Sequence, residues 1–357
     1  MKSPLRIGLL IGLAIGGPLR LEAQGPPSSL AEFLQATARF SPDDVAGASR
    51  STVLKILATT DPREVALIGV IGIAAPRSLV VAQASALPPA GQGSIRMGID
   101  LGIFSDPAVP RDVAGFSLPH GDVQELSRCQ PGSCDVKLPG QAMSELRTLL
   151  QQASGSLDSA ASAWFRQRMV EYVNGYRARG RSALAVYEDR LPATPAAQVW
   201  DAILSRSPYV YRYSPLLQRY LENYPSNRPA EVRESIYWVL SNVPHLRRTL
   251  AIAHQVVYSP PDLSDLTLIA ARQLYSDHYL DGAFTLLAVV DADPLGADTT
   301  RAYLVALLRL HFDNLPSGGP LDIRGKVVDG MRDRTREFLR RVKESSERAY
   351  AARPGNW

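Results

Sequence analysis

The chain has 357 residues, of which 45% are apolar and 21% charged, with two cysteines and a formal net charge of +4. That balance excludes a disordered chain, a disulfide-dense miniprotein and a multi-zinc protein. The charge is too small to mark a nucleic-acid binder, and no nucleic-acid partner is expected.

Residues 1–23 read as a secretory signal. Lys2 and Arg6 precede an apolar stretch from Ile7 to Leu19, and Leu21-Glu-Ala23 offers a cleavage site. The stretch is shorter than the roughly 20 residues of a membrane span. No later run is long and apolar enough to span, so the expected address is secreted or periplasmic. Cys129 and Cys134 fit that address. They flank the turn pair Pro131-Gly132 and are expected to form a disulfide in an oxidising compartment. Their C-x4-C spacing matches neither the redox C-x-x-C nor a four-ligand zinc set, so they predict a staple and no metal site.

Residues 24–50 form a polar lead with a short helix over Leu30–Thr37 and a turn signal at Ser41-Pro-Asp-Asp44. Residues 51–118 open a sheet domain. Val53–Ala58 and Glu64–Ala74 read as strands, Arg77–Leu87 as a helix entered through Pro76, and Ile95–Phe104 as an alternating strand. Residues 119–230 read as a helical insertion. Val123–Ser127, Gln141–Gln152, Ser156–Ala178, Ala183–Glu188, Ala196–Arg206 and Ser214–Asn223 carry helical patterns. Tyr209, Tyr211, Tyr213, Tyr220 and Tyr224 cluster at its end, as a packing surface or a ligand-lining one. Residues 231–350 return to strands at Ile236–Leu240, Leu250–Tyr258, Leu266–Tyr275, Ala283–Asp291 and Ala302–Phe312. Their short connections favour antiparallel neighbours. A long amphipathic helix follows over Leu321–Ala349. Its basic residues are interleaved with acidic ones, which predicts a solvated face over a lipid-contacting one.

The expected fold is therefore α+β: a curved antiparallel sheet packed by a long C-terminal helix, with a helical insertion. Whether the early and late strands share one sheet is left open by the pattern. Glu64-Val-Ala-Leu-Ile-Gly-Val-Ile-Gly-Ile-Ala-Ala-Pro76 leading into a helix, and Thr300–Arg348 as final strand and long helix, resemble the helix-grip fold of START and polyketide-cyclase-like lipid-binding domains. The likeness spans about half the chain. It implies a lipid or other apolar ligand held between sheet and C-terminal helix, and it carries over no catalytic residue. The segments Tyr275-Ser-Asp-His-Tyr279 and Cys129–Leu138 also resemble those of uncharacterised secreted bacterial proteins.

The chain has no G-x-S-x-G elbow, no H-E-x-x-H and no phosphate-binding G-x-x-x-x-G-K-[ST], and no cofactor is expected. The remaining signal is polar residues within apolar strands. Strand alternation puts His254 with Leu250 and Ile252, Arg272 with Leu268 and Leu274, and Arg309 and His311 with Tyr303 and Leu307. Gln273 and Tyr275 fall on the face opposite Arg272. His254, Gln273, Tyr275 and Arg309 are the candidate ligand-binding residues, as polar anchors in an apolar cavity. Two other readings accompany this one: a cell-envelope interaction module using the insertion, and a hydrolase or cyclase-like enzyme using His254 with Tyr275 or Arg309. Asp277-His278 is a further possible base pair, requiring a bent connection to bring both to one side.

Overall fold

The computed structural model describes residues 30–86, 100–207, 214–242, 246–292, 300–318 and 322–352. The signal segment, the strand portion 95–99 and Tyr209, Tyr211 and Tyr213 lie outside these described residues.

The strands of the main sheet are β1 (Val53–Leu57), β2 (Glu64–Ile73), β3 (Asp100–Phe104), β6 (Arg233–Ser241), β7 (Thr249–Tyr258), β8 (Leu266–Ser276), β9 (Leu280–Asp291) and β10 (Ala302–Phe312); the short β4 (Val186–Tyr187) and β5 (Thr194–Pro195) pair separately. The sheet is open, antiparallel and ordered β1-β2-β10-β9-β8-β7-β6-β3. Pairing of β2 with β10 joins the early and late strands into one sheet. The α+β expectation, with its long C-terminal helix, therefore holds.

Both faces of the sheet are covered. α3 (Arg77–Ala84) and the terminal helix α9 (Ile323–Ala351) pack on one face, where Leu79, Val80, Phe338, Leu339 and Val342 bury against Ile71, Val289 and Leu304. Contact is close. A Cβ on Gly69 would lie 2.8 Å from Leu339 Cδ1. Asp322 caps α9 by accepting from Gly325 N–H. The outer face of α9 carries Glu337–Arg340 and Arg340–Glu344 pairs, which is the solvated, self-paired surface expected of its charge pattern, while the Lys343–Glu347 pair bonds the backbone of Gly72 and Ala74 at the end of β2.

The other face carries the N-terminal helix and the helices of residues 119–230. α1 (Leu30–Ala38), α4 (His120–Leu126), α5 (Gly140–Gln152), α6 (Leu157–Arg179), α7 (Ala196–Ser205) and α8 (Pro215–Asn223) bury one continuous core against Ile68, Val70, Trp238, Ile252, Leu268, Phe284 and Val305. The short α2 (Pro42–Gly47) starts at the predicted turn, capped by Ser41. α6 begins at the Ser156 cap and stops at Gly180, which has φ +55°. Ala183–Glu188 is not helical: a 3-10 turn over Gly180–Ala183 leads into β4. There Val186 pairs with Pro195 and Tyr187 with Thr194, so the β partner overrides the local helical pattern.

Two bulges re-aim polar side chains. Between β7 and β8 the register passes from Ala253↔Gln273 to Ile252↔Tyr275, leaving Leu274 extra. Between β9 and β10 it passes from His311↔Gly282 to Phe312↔Leu280, leaving Asp281 extra. An extra residue reverses the inward–outward alternation of whatever follows it. Tyr275 therefore turns toward the insertion, on the same side as Arg272, and not to the opposite face as simple alternation predicts. Asp281 also points to the insertion side, where it meets Lys137 and His311.

Candidate functional site

The antiparallel order brings the start of β2, the start of β9 and the end of β10 to one end of the sheet. His311 is opposite Glu64 on β2 and Gly282 on β9. α7 lies close over this corner, because Gly282 has no side chain: a Cβ there would be 2.9 Å from Val199. The β4–β5 loop and the cysteine loop close the remaining sides. Together they form a cleft of about 400 Å3.

Its floor is a buried ionic network. Lys137 Nζ lies 2.8 Å from Asp281, 3.5 Å from Asp189 and 3.8 Å from Asp313, and sits 4.7 Å from the centre of the Tyr187 ring. His311 bridges two carboxylates, with Nε2 3.1 Å from Asp61 and Nδ1 3.3 Å from Asp281. Behind it, the wholly buried Glu64 takes ion pairs from Arg206 and Arg309. Arg309 also donates to the carbonyl of Arg206 at 2.8 Å. The wall is less polar, with Leu191, Pro192, Ala193, Pro195, Val199 and Ala202.

The four carboxyls of the floor and rim split into two pairs. Burial resists ionisation of Asp281, but His311 and Lys137 hold it below the usual carboxylate range. Burial likewise opposes Asp61, which the Arg63 N–H and His311 keep low. At Asp189 and Asp313 burial prevails over Lys137, and both are pushed up. Carboxyls driven apart in this way are suited to different protonation roles.

At the mouth stand Arg63 and Arg190, with side chains 47% and 52% exposed. Their carboxylate neighbours lie at 3.8–4.0 Å, beyond hydrogen-bond reach. Among the described residues neither guanidinium has a hydrogen-bond acceptor, and both can turn their donors to a ligand.

The four residues singled out from sequence do not converge. His254, Arg272, Phe284 and Arg309 form one row across β7, β8, β9 and β10. Three strand spacings, about 14 Å, therefore separate His254 from Arg309. His254 sits in a different buried group: Tyr176 OH is 3.0 Å from Nδ1 and Glu234 is 3.0 Å from Nε2, with Tyr224 against the ring. Burial first, then Arg272 and Arg177, holds this imidazole below its ordinary pKa in spite of Glu234. Tyr220 and Tyr224 belong to the same packed group, which is the packing reading of the tyrosine cluster. Gln273 pairs with Ala253 on the face that holds Tyr237 and Val239. Tyr275 donates to the Lys137 carbonyl at 2.8 Å and so supports the cleft from behind. Arg309 supports it through Glu64. His254, Tyr275 and Arg309 thus lie on the face away from α9.

The sequence reading missed Lys137, Asp189, Asp281 and Asp313. An available signal was Lys137, a lone cation next to the cysteine staple. Cys129 and Cys134 are joined, with Cα atoms 4.8 Å apart, as expected. The segment just after the loop they close sits on the β8–β9 turn: Lys137 N–H donates to the Asp277 carbonyl, and His278 Nδ1 is 2.9 Å from the Asp135 carbonyl. The two segments noted for their likeness to secreted proteins are therefore in direct contact.

A broader depression of about 700 Å3 lies along β3, lined by Asp100, Arg111, Asp112 and Trp238. Its acids are already engaged. Asp112 accepts from Ser105 and from Val109 N–H, and Asp100 pairs with Arg248. The cleft around Lys137 is the better candidate.

No family model and no curated protein matches this chain.

Proposed function

We propose that the chain is an extracytoplasmic binding protein that takes a small polar molecule bearing an oxyanion group into the Lys137 cleft. The observation that carries this reading is the pair Arg63 and Arg190, two half-exposed guanidiniums without hydrogen-bond acceptors among the described residues, over an ionic floor. Guanidinium forks bind carboxylates, phosphates and sulfates through paired hydrogen bonds. The apolar wall of Leu191, Pro192 and Val199 would cover the rest of the ligand. A polar ligand replaces the lipid implied by the helix-grip resemblance because α9 packs side chain to side chain on the sheet. Three of the four anchors expected to face it, His254, Tyr275 and Arg309, lie on the other side. The extracytoplasmic address is supported by the signal-like residues 1–23 and the joined cysteines; among the described residues no helix is long and apolar enough to cross a membrane.

Calorimetric titration of the full chain with phosphate, sulfate, citrate and small sugar acids tests this. At least one should bind, and Arg63→Gln with Arg190→Gln should weaken it by more than about tenfold, one lost charged hydrogen bond being worth about that much. Failure of the whole panel, or binding indifferent to the two substitutions, would overturn the reading.

A second reading, hydrolytic chemistry at the same cleft, is favoured by the opposed pKa shifts of Asp281 and Asp189. Its test is turnover of ester and glycoside substrates by wild type, with loss in Asp281→Asn.

A further inference from the structure

Beside the cleft, on the far side of the cysteine loop, is a second polar cluster that the binding reading does not use. Asp122 comes from α4; Asp277 and His278 come from the β8–β9 turn. All three side chains are buried to within a few per cent. One ligand atom from each lies within 4.8 Å of the others.

Their orientations are fixed by other bonds. Asp277 Oδ1 accepts from Leu250 N–H at 2.9 Å, which leaves Oδ2 turned to the cluster. His278 Nδ1 is 2.9 Å from the Asp135 carbonyl, so the proton belongs there and Nε2 presents its lone pair. That Nε2 faces Asp122 Oδ1 at 3.3 Å. Among the described residues, Asp122 Oδ2, Asp277 Oδ2 and His278 Nε2 have no hydrogen-bond partner although all are buried. Among the described residues, Arg247 pairs with Asp122 Oδ1 at 3.4 Å and makes its closer pair with Asp135 at 2.9 Å. Two carboxyl oxygens and an imidazole nitrogen left unpaired in a dry site are costly unless something joins them.

We propose that Asp122, Asp277 and His278 form a binding site for a divalent transition ion of the Zn2+ or Mn2+ class. Metal–ligand bonds of about 2.0–2.1 Å put neighbouring ligand atoms about 3.0–3.4 Å apart, the spacing seen between His278 and Asp122. One imidazole and two carboxylates suit zinc or manganese; calcium needs six or more oxygens. The Asp135 carbonyl serves as the outer partner that orients a histidine ligand. The ion would tie α4 to the β8–β9 turn, and through Asp135 to the disulfide loop. Sequence reading expected no metal here because the three ligands are split between residue 122 and the 277–278 turn, a spacing no short motif captures.

The test is calorimetric titration of tag-free, chelator-stripped full chain with ZnCl2, and separately with MnCl2, followed by thermal melting. One equivalent of one of these ions should bind and raise the melting temperature. His278→Gln and Asp277→Asn should weaken binding by more than about a hundredfold; Asp277→Asn retains the acceptor for Leu250 N–H and so spares the turn. Wild-type crystals grown with the bound ion should show an anomalous peak between the three side chains, a readout that needs no variant. No stoichiometric binding of either ion, unchanged affinity in folded variants, or a peak elsewhere would overturn the proposal.

Discussion

Lys137 and Asp281 meet at 2.8 Å with side chains only 2% and 1% exposed. They belong to two parts of the chain that only the folded topology brings together, the segment after the disulfide loop and the start of β9. Asp189 and Asp313 share the same ammonium. Such a pair is expensive to break, because the partner left behind is a buried charge without compensation. Lys137→Met should cost about 3–5 kcal/mol in urea unfolding. A loss below about 1 kcal/mol would mean that water, not Lys137, solvates these acids.

The disulfide closes the loop just before Lys137. Its closed loop is short, so chain entropy gives it only about 2 kcal/mol. Cys129→Ser with Cys134→Ser should lower unfolding free energy by about that amount. The same loss should appear in wild type on reduction, measured with and without dithiothreitol.

Gly180 ends α6 against the Tyr224 carbonyl. A Cβ there would sit 1.7 Å from that oxygen, and φ is +55°. Gly180→Ala should destabilise the fold by at least about 2 kcal/mol, because backbone and not a mobile side chain must yield. Gly115→Ala, where a Cβ meets nothing within 4 Å, is the control and should melt near wild type.

His254 predicts an acid-side loss of stability. Its folded pKa is lowered, so the unfolded chain binds the proton more readily. Its contribution is complete above the unfolded value near 6.5 and falls as pH drops from there toward the folded value. His254→Gln keeps a donor for Glu234 and an acceptor for Tyr176. It should flatten the dependence of unfolding free energy on pH below 6.5 by up to about 1.4 kcal/mol per pH unit, the slope of one proton. Equal slopes in the two proteins would assign the acid sensitivity to other groups.

Much of the scaffold is legible from periodicity. Strands β7 and β10 and helices α5, α6 and α7 follow directly from period-two and period-3.6 patterns, and the Ser156 cap is where the sequence places it. Arg309 and His311 share the expected face because β10 runs unbroken to His311. The site is less legible for a definite reason. Tyr275 and Asp281 are aimed by bulges at Leu274 and at Asp281 itself, and a bulge leaves no mark in a hydrophobic pattern. Lys137, Asp189 and Asp313 lie in loops, where periodicity says nothing about direction. Grouping His254, Gln273, Tyr275 and Arg309 rests on their being polar residues in apolar strands around one cavity, and strand patterning does not tell how many strands stand between His254 and Arg309.

The most direct test of the account is a crystal structure of the full chain grown with the tightest oxyanion ligand from the titration panel. The account predicts ligand density in the Lys137 cleft, with its oxyanion within hydrogen-bond distance of the Arg63 and Arg190 guanidiniums and its remainder against Leu191 and Val199. Density along β3, or between α9 and the sheet with the cleft empty, would contradict it.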